Sequence, residues 1–453
     1  MPHAANGFFE NGGKRLFVCR VVGDEAVVAA KKFGDFLVSA SGPGAWGNNV
    51  WVKIDEASTP NAKNPGFRLK LAYWADRAAD FVPFDPFLPA NRTLTQRPQF
   101  AEDFDDLSVD PKSPNYFTKR LVDSATSLPV SVLATLEAVA PKKPEPAAGF
   151  LENGKDDEKA LDSADYVGDP AGKRDQVQGL RALELDPYRD VALVYAPYPS
   201  DNRKDIWGKV IDHCETMRFR FAAIDCEPNA EPSTLDPRAN YAWDTSHAAF
   251  YSPWIVTADP QSGARSIVPP SGHVLGVYAR TDTERGVFKA PANEITRGAL
   301  NVRFDVSDNT QGALNPKGVN VIRSFPSRGI RIWGARTLSS NALWKYVSVR
   351  RLFIFLERSI YEGTQWVVFE PNDDRLWARV VDTIRLFLRS QWRMGALMGR
   401  TEQEAFFITC DRTTMSQDDI LNGRLICEIG IAPVRPAEFV VFRVFQHTAE
   451  TQR

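Results

Sequence analysis

Residues suited to catalysis or metal binding are scarce and scattered in this chain. There are five histidines, at 3, 213, 247, 273 and 447, and five cysteines, at 19, 214, 226, 410 and 427. No two cysteines form a CxxC pair, and their wide spacing predicts reduced, buried thiols rather than a disulfide framework or a zinc site. His213 and Cys214 are neighbours on a predicted helix, so they face different directions and cannot chelate one ion. No GxSxG, HExxH or EF-hand loop occurs. A net charge of −2 provides no general basic field for nucleic acid. No run approaches the roughly 18 uncharged apolar residues of a membrane-spanning helix. The opening MPHAANGFFENGGKR lacks the apolar stretch of a secretory signal.

Nucleotide chemistry is also poorly supported. The glycine-rich loop SGPGAWGNN (41–49) has no Lys-Ser/Thr after its glycines and no helix to present amides to a phosphate. A second candidate turn follows the predicted strand at 191–196, but Pro197 and Pro199 remove amide donors where a phosphate would sit. Asp411-Arg412 and Asp418-Asp419 read as helix caps and ion pairs. We therefore expect no cofactor, no metal and no enzymatic activity. A nucleotide- or sugar-processing α/β enzyme is the first rival reading. A fibre or spike module is the second, and the absence of internal repeats weighs against it.

What the chain does have is strand and helix periodicity, with a generous aromatic load of 11 Trp and 28 Phe. Strands are predicted at 15–22 (RLFVCRVV), 50–54 and 67–74, and turn signals through 30–140 suggest a mostly β module. A helix is expected to start near Asn115. Residues 141–179 are rich in proline and charge and read as a linker. An α/β pattern then begins: strand 191–196, a helix capped by Asp201 or Asn202 with Ile206, Trp207, Val210, Ile211, Cys214 and Met217 on one stripe, and strand 221–225. This spacing suits a parallel βαβ unit. A further strand is expected near 250–256.

The C-terminal third is the most regular. Helices are predicted at 349–363 and 374–398, the second capped by Asn372 or Asp373 and striped with Leu376, Val380, Ile384 and Leu388. Strands are predicted at 366–370, 405–410 and 424–432. A capping box at Ser416–Asp419 is followed by Gly423 as the residue just past that helix. The arginines at 375, 379, 385, 389 and 393 line a helix face, of which Arg375, Arg379 and Arg389 are the candidate interface charges. The last run, EFVVFRVFQHT (438–448), has high strand propensity. Its residues Glu438, Phe439, Val440, Val441, Phe442, Arg443, Val444 and Phe445 either close a sheet in their own domain or pair with another copy of the chain.

Several longer strings carry a resemblance. They are VPPSGHVLGVYARTDTERGVFKAPANE (268–294), RSFPSRGIRIWGART (323–337), GTQWVVFEPND (363–373), CDRTTMSQDDILNGRL (410–425) and APVRPAEFVVF (432–442), with SGPGAWGN (41–48), LSVDPKSPNYF (107–117) and DYVGDP (165–170) upstream. Together they resemble the contractile tail sheath family of contractile phages, R-type bacteriocins and extracellular contractile injection systems. The resemblance implies a multi-domain α/β (α+β) fold. Its sheath-type core would be built from both chain ends, 1–30 and 180–453, with 330–453 a C-terminal subdomain. A mostly β domain at 31–140 would be inserted on the outside, followed by the linker at 141–179.

It further implies a structural subunit that polymerises around an inner tube and contracts to drive that tube through a cell envelope, an injection-system role being favoured over a phage tail. The implied partners are other sheath subunits, the inner tube protein, and baseplate and tail terminator proteins. Nucleic acid and membrane insertion are not implied. Assembly is expected in the cytoplasm, with the product part of a tail-like particle. Family members carry a stretch ahead of FFENGGKRLFVCRV that includes an exchanged arm. On that resemblance, this form would lack one half of the contact between neighbours.

Overall fold

The computed structural model describes all residues except 60–65, 76, 78–80, 92–93, 95, 123–129, 139–141, 160, 169–177, 198–202, 261 and 439–453. Two compact units emerge: Met1–Val18 together with Val191–Arg453, and Cys19–Asp190.

The first unit is built on a six-stranded mixed sheet. Its strand order is Glu294–Ile295, Gly329–Trp333, Val319–Phe325, Ala248–Ser252, Phe221–Asp225 and Leu193–Val194. The last four are mutually parallel, and the hairpin strand Gly329–Trp333 turns back antiparallel. Buried parallel strands need apolar residues on both faces, and all five residues of both Phe221–Asp225 and Ala248–Ser252 are buried. Helix Arg203–Met217 makes the first crossover, with Ile206, Trp207, Val210, Ile211 and Cys214 buried and Met217 half-buried. Its start at 201–202 lies outside the described residues. Helix Ser271–Glu284 packs on the sheet through Val274, Val277 and Tyr278, which belong to one core with Phe221, Tyr251 and Ile322.

The N-terminal helix Pro2–Glu10 lies on the Ser271 helix at very short range. A side chain on Gly272 would meet the backbone of Ala4 at 2.5 Å, and one on Gly276 the carbonyl of Phe8 at 2.4 Å, so only glycine permits the approach.

A separate core holds the C-terminal end of this unit. Helices Val347–Gly363 and Asp374–Arg393 and the hairpin Phe406–Thr409 with Glu428–Ile431 enclose Leu352, Leu356, Leu376, Trp377, Ile384, Leu388 and Phe406.

The second unit contains two antiparallel sheets. One orders Phe100–Leu107, Phe67–Tyr73, Val50–Glu56 and Ala147–Phe150; the other orders Ala30–Phe33, Phe36–Ala40 and Ala134–Ala138. They share a core of Phe36, Val38, Val52, Ile54, Phe67, Leu69, Leu71 and Leu107.

Five sequence expectations need correction. Residues 15–22 form no strand: Val18 is 62% exposed, no partner strand is present among the described residues, and the regular element of this region is the helix before it. The segment 366–370 is a 3-10 turn, Gln365–Val367, and then a bend at Phe369 with φ of 70°. The WVVFE string has strand propensity, but Val368 and Phe369 are exposed and have no ladder partner among the described residues. The stretch 141–179 is more than a linker, because Ala147–Phe150 pairs with the strand Val50–Glu56 and Ser163–Val167 is a helix with a capping box on Asp162 and Asp165. Residues 19–30 and 180–190, expected in the core, both fall in the second unit. Cys19 and Cys427 are also only half-buried, whereas Cys214, Cys226 and Cys410 are buried, and all five thiols are free.

Candidate assembly surface

The helix Asp374–Arg393 explains the placement of the candidate arginines. Asp373 caps it, accepting from the backbone N–H groups of Arg375 at 3.1 Å and Leu376 at 2.9 Å. Leu376, Trp377, Val380, Ile384 and Leu388 are buried. At 100° per residue, Arg375, Arg379, Asp382, Leu386, Arg389 and Arg393 then share the opposite side. Leu386 is 65% exposed in the middle of this charged stripe.

The three candidates differ in what holds them. The Arg389 Nε donates to Glu402 at 2.6 Å, and Arg385 lies 3.7 Å from the same carboxylate. Arg379 sits over the Trp366 ring, 4.5 Å from its centre, with Glu370 at 4.0 Å. The Arg375 side chain is exposed and has no ion pair among the described residues. The structure thus gathers all three on one exposed face, two of them steadied by partners that sequence reasoning did not identify.

Of the candidate terminal strand, only Glu438 is described; Phe439, Val440, Val441, Phe442, Arg443, Val444 and Phe445 lie outside the described residues. Glu438 is held firmly. Arg336 donates through Nε at 2.9 Å and Nη2 at 2.6 Å, Tyr346 through its hydroxyl at 3.2 Å and Asn315 through Nδ2 at 3.4 Å. Burial alone would raise this carboxyl, but the hydrogen bonds and charge of Arg336 outweigh it and hold the group below its ordinary range. The base of the last segment is therefore anchored on the first unit's core. The sequence offered one clue to this clamp: Arg336 lies inside the string RSFPSRGIRIWGART.

Buried polar groups of the same unit are structural. Asp225 sits at the end of a parallel strand, where an enzyme of this class would place chemistry. Yet it accepts from Ser271 N–H at 2.9 Å, Ser271 Oγ at 2.5 Å and the Tyr195 hydroxyl at 2.6 Å, so it caps the Ser271 helix. Burial pushes its carboxyl up to about 6. Arg351 forms a bidentate pair with Asp282, at 2.9 and 2.5 Å, over the Tyr278 ring. Burial pushes His213, His247 and His273 down to about 4. Arg220 Nη1 faces the His213 ring nitrogen Nε2 at 2.5 Å and Arg350 Nη2 faces that of His247 at 3.0 Å, an arrangement that requires neutral rings. Among the described residues no three metal-capable side chains converge, and no helix is long and apolar enough to cross a membrane.

The site geometry thus consists of a capped, arginine-faced helix, the Glu438 clamp, and buried groups such as Asp225 and Arg351 tied into the fold, while a few buried atoms, His273 Nδ1 among them, have no hydrogen-bond partner among the described residues. Family models describing the phage tail sheath protein central domain and the phage tail sheath C-terminal domain match residues 169–338 and 339–447. The chain is 33% identical to a subunit in the cryo-EM structure of the anti-feeding prophage baseplate, with a TM-score of 0.55, over 68% of this chain and 78% of that one. It is 37% identical, with a TM-score of 0.54, to a chain of the PVC sheath complex in its contracted state, described as an extracellular contractile injection system, over 60% of this chain and 75% of that one. A prophage major tail sheath protein of Pseudomonas aeruginosa is 28% identical over 233 residues, half of this chain; the match spans 58% of that relative's own length. This chain belongs to the contractile tail sheath family, a structural rather than an enzymatic family.

Proposed function

We propose that copies of this chain stack helically around an inner tube as the sheath of an extracellular contractile injection system. Its partners are neighbouring sheath subunits, the inner tube protein, and the baseplate and tail terminator proteins. Assembly takes place in the cytoplasm of the producing cell. The observation that carries the injection-system assignment is the 37% identity with the PVC sheath complex, against 28% with the Pseudomonas prophage protein.

No nucleotide is consumed. The work comes from the difference between two sets of subunit contacts. A terminal strand joining neighbours through about five ladder hydrogen bonds contributes roughly 5 kcal/mol per link. A link kept in both states cancels between them, so it acts as a hinge. The drive falls to side-chain-rich faces, among which the stripe of Arg375, Arg379 and Arg389 is the candidate. Such faces are heterologous and open-ended, as a helical tube requires. The clamp of Arg336 on Glu438 supports the hinge reading, since it anchors the residue that immediately precedes the candidate strand 439–445.

Electron microscopy of particles from the producing cell tests this. A striated cylinder containing the chain, with no capsid attached, is the expected result. A capsid on the same cylinder would transfer the assignment to a phage tail. Particles lacking any such cylinder would overturn the sheath role itself.

A further inference from the structure

The hairpin of the C-terminal core places two cysteines opposite one another. Its register pairs Phe406 with Ile431 and continues to Thr409 with Glu428. One step further brings Cys410 opposite Cys427, and the two thiols hydrogen bond to each other. The position within the ladder also matters. The Ala432 N–H donates to the Ala405 carbonyl at 2.9 Å, making that opposed pair a hydrogen-bonded one. Because pairs alternate, Cys410 and Cys427 fall on a non-hydrogen-bonded pair, where opposed Cα atoms lie about 4.5 Å apart. A disulfide spans Cα separations of roughly 4.4–6.8 Å.

The intervening loop keeps the thiols together. Ser416 and Asp419 form a capping box, Arg424 reaches Asp418 and Asp419, and Thr414 Oγ1 donates to the Ile426 carbonyl at 2.9 Å. Cys410 is buried and Cys427 half-buried, so a reagent from solvent meets Cys427 first. The other three cysteines have no part in the hairpin: Cys214 and Cys226 are buried elsewhere in the first unit, and Cys19 belongs to the second, where it donates to the Gly179 carbonyl.

We propose that Cys410 and Cys427 are a latent disulfide site, closed by a small disulfide oxidant of the oxidised-glutathione class. The Cys427 thiolate attacks one sulfur of the oxidant, forming a mixed disulfide and releasing one small thiolate. The Cys410 thiolate then attacks Sγ of Cys427, and the second small thiolate leaves. Two protein protons and two electrons pass to the oxidant, which departs as two thiols. Burial pushes both protein thiols up, Cys427 to about 12, so closure is slow at neutral pH and quickens with alkali. The bond staples the loop 411–426, which touches the start of the arginine helix through Arg412 on Asp374 and the Arg424 carbonyl on Asn372.

The test is incubation of the full chain with excess oxidised glutathione at two alkaline pH values, acid quench, alkylation in denaturant, and intact and peptide mass spectrometry. The expected product is a monomer lighter by two hydrogen atoms, with two of the five thiols lost and a single cross-linked peptide joining Cys410 to Cys427, formed faster at the higher pH. In Cys410→Ser the glutathione adduct stays on Cys427. Five persisting thiols, a cross-link to Cys19, Cys214 or Cys226, a bond between two copies, or a lasting adduct on Cys427 of the unaltered chain would each overturn the proposal. The unaltered chain decides the matter even where a variant fails to fold.

Discussion

All five histidines belong to the unit formed by Met1–Val18 and Val191–Arg453, and the unit Cys19–Asp190 has none. The two also differ in construction. The first combines a parallel sheet with long helices and buries arginine and histidine among aromatics. The second pairs antiparallel strands, and its charges meet in compact clusters such as Lys53 and Lys70 with Asp55 and Asp85. The family models cover the first unit from its sheet onward and reach only residues 169–190 of the second. The features suited to assembly, the arginine stripe and the Glu438 clamp, are likewise all in the first. On the proposed function, the intersubunit contacts are expected to lie on the first unit and not on the second.

The most severe way to break that comparison is to damage each core equally. Leu388→Ala and Leu71→Ala both remove fully buried leucines, and each should cost about 2–5 kcal/mol. Denaturant melts should show similar losses, whereas tube formation seen by electron microscopy should fail only for Leu388→Ala. Failure of both would join the units functionally.

Buried charge sharpens the contrast. Asp282→Asn leaves the Arg351 guanidinium buried without its counter-charge and should cost about 3 kcal/mol. In the second unit, Asp85→Asn leaves Lys53 and Lys70 with Asp55, at 2.9 and 3.1 Å, and should cost about 1–2 kcal/mol. Equal losses in urea titration would contradict this.

Acid should separate the units. His213, His247 and His273 have folded-state values of about 4 against an ordinary 6.5. The unfolded chain therefore takes up protons first, and the stability they contribute, complete above 6.5, is lost as pH falls from about 6.5 toward 4. Glu438 adds a loss that begins below its ordinary value of 4.5. Asp225 has the opposite sign, because its raised value weakens the fold as pH rises toward about 6, so it offsets part of the histidine effect. In the second unit Asp85 and Asp105 are held below 3.8, so its acid loss begins only near that pH. Hydrogen exchange at pH 5 should show protection falling first in the histidine-bearing unit.

Two smaller effects probe the assembly surface. Glu438→Gln weakens charge-assisted hydrogen bonds to Arg336 and should lower the monomer's stability by about 1.5–3 kcal/mol at neutral pH, with fewer or shorter tubes by electron microscopy. Arg389→Ala should change the melting temperature only slightly, because its pair with Glu402 is half-exposed and Arg385 remains beside that carboxylate. Its expected signature is a weaker salt dependence of assembly.

Legibility from sequence followed local pattern. The stripe Leu376, Val380, Ile384, Leu388 defines a helix face wherever it occurs, and the cap at Asp373 and the box at Ser416–Asp419 are contacts between near neighbours. The strand reading of WVVFE failed for the complementary reason. A strand exists only if another strand is beside it, and Val368 and Phe369 were given a bend instead.

The order of residues by itself determined the helix stripes of Arg203–Met217 and Asp374–Arg393 and the caps at Asp373 and Ser416, since each depends on spacing within a few residues. Tertiary structure decided which distant groups meet: Arg336 with Glu438, Arg351 with Asp282, and Cys410 with Cys427 across a hairpin. Those meetings depend on sheet register and helix packing, which no local window of sequence contains.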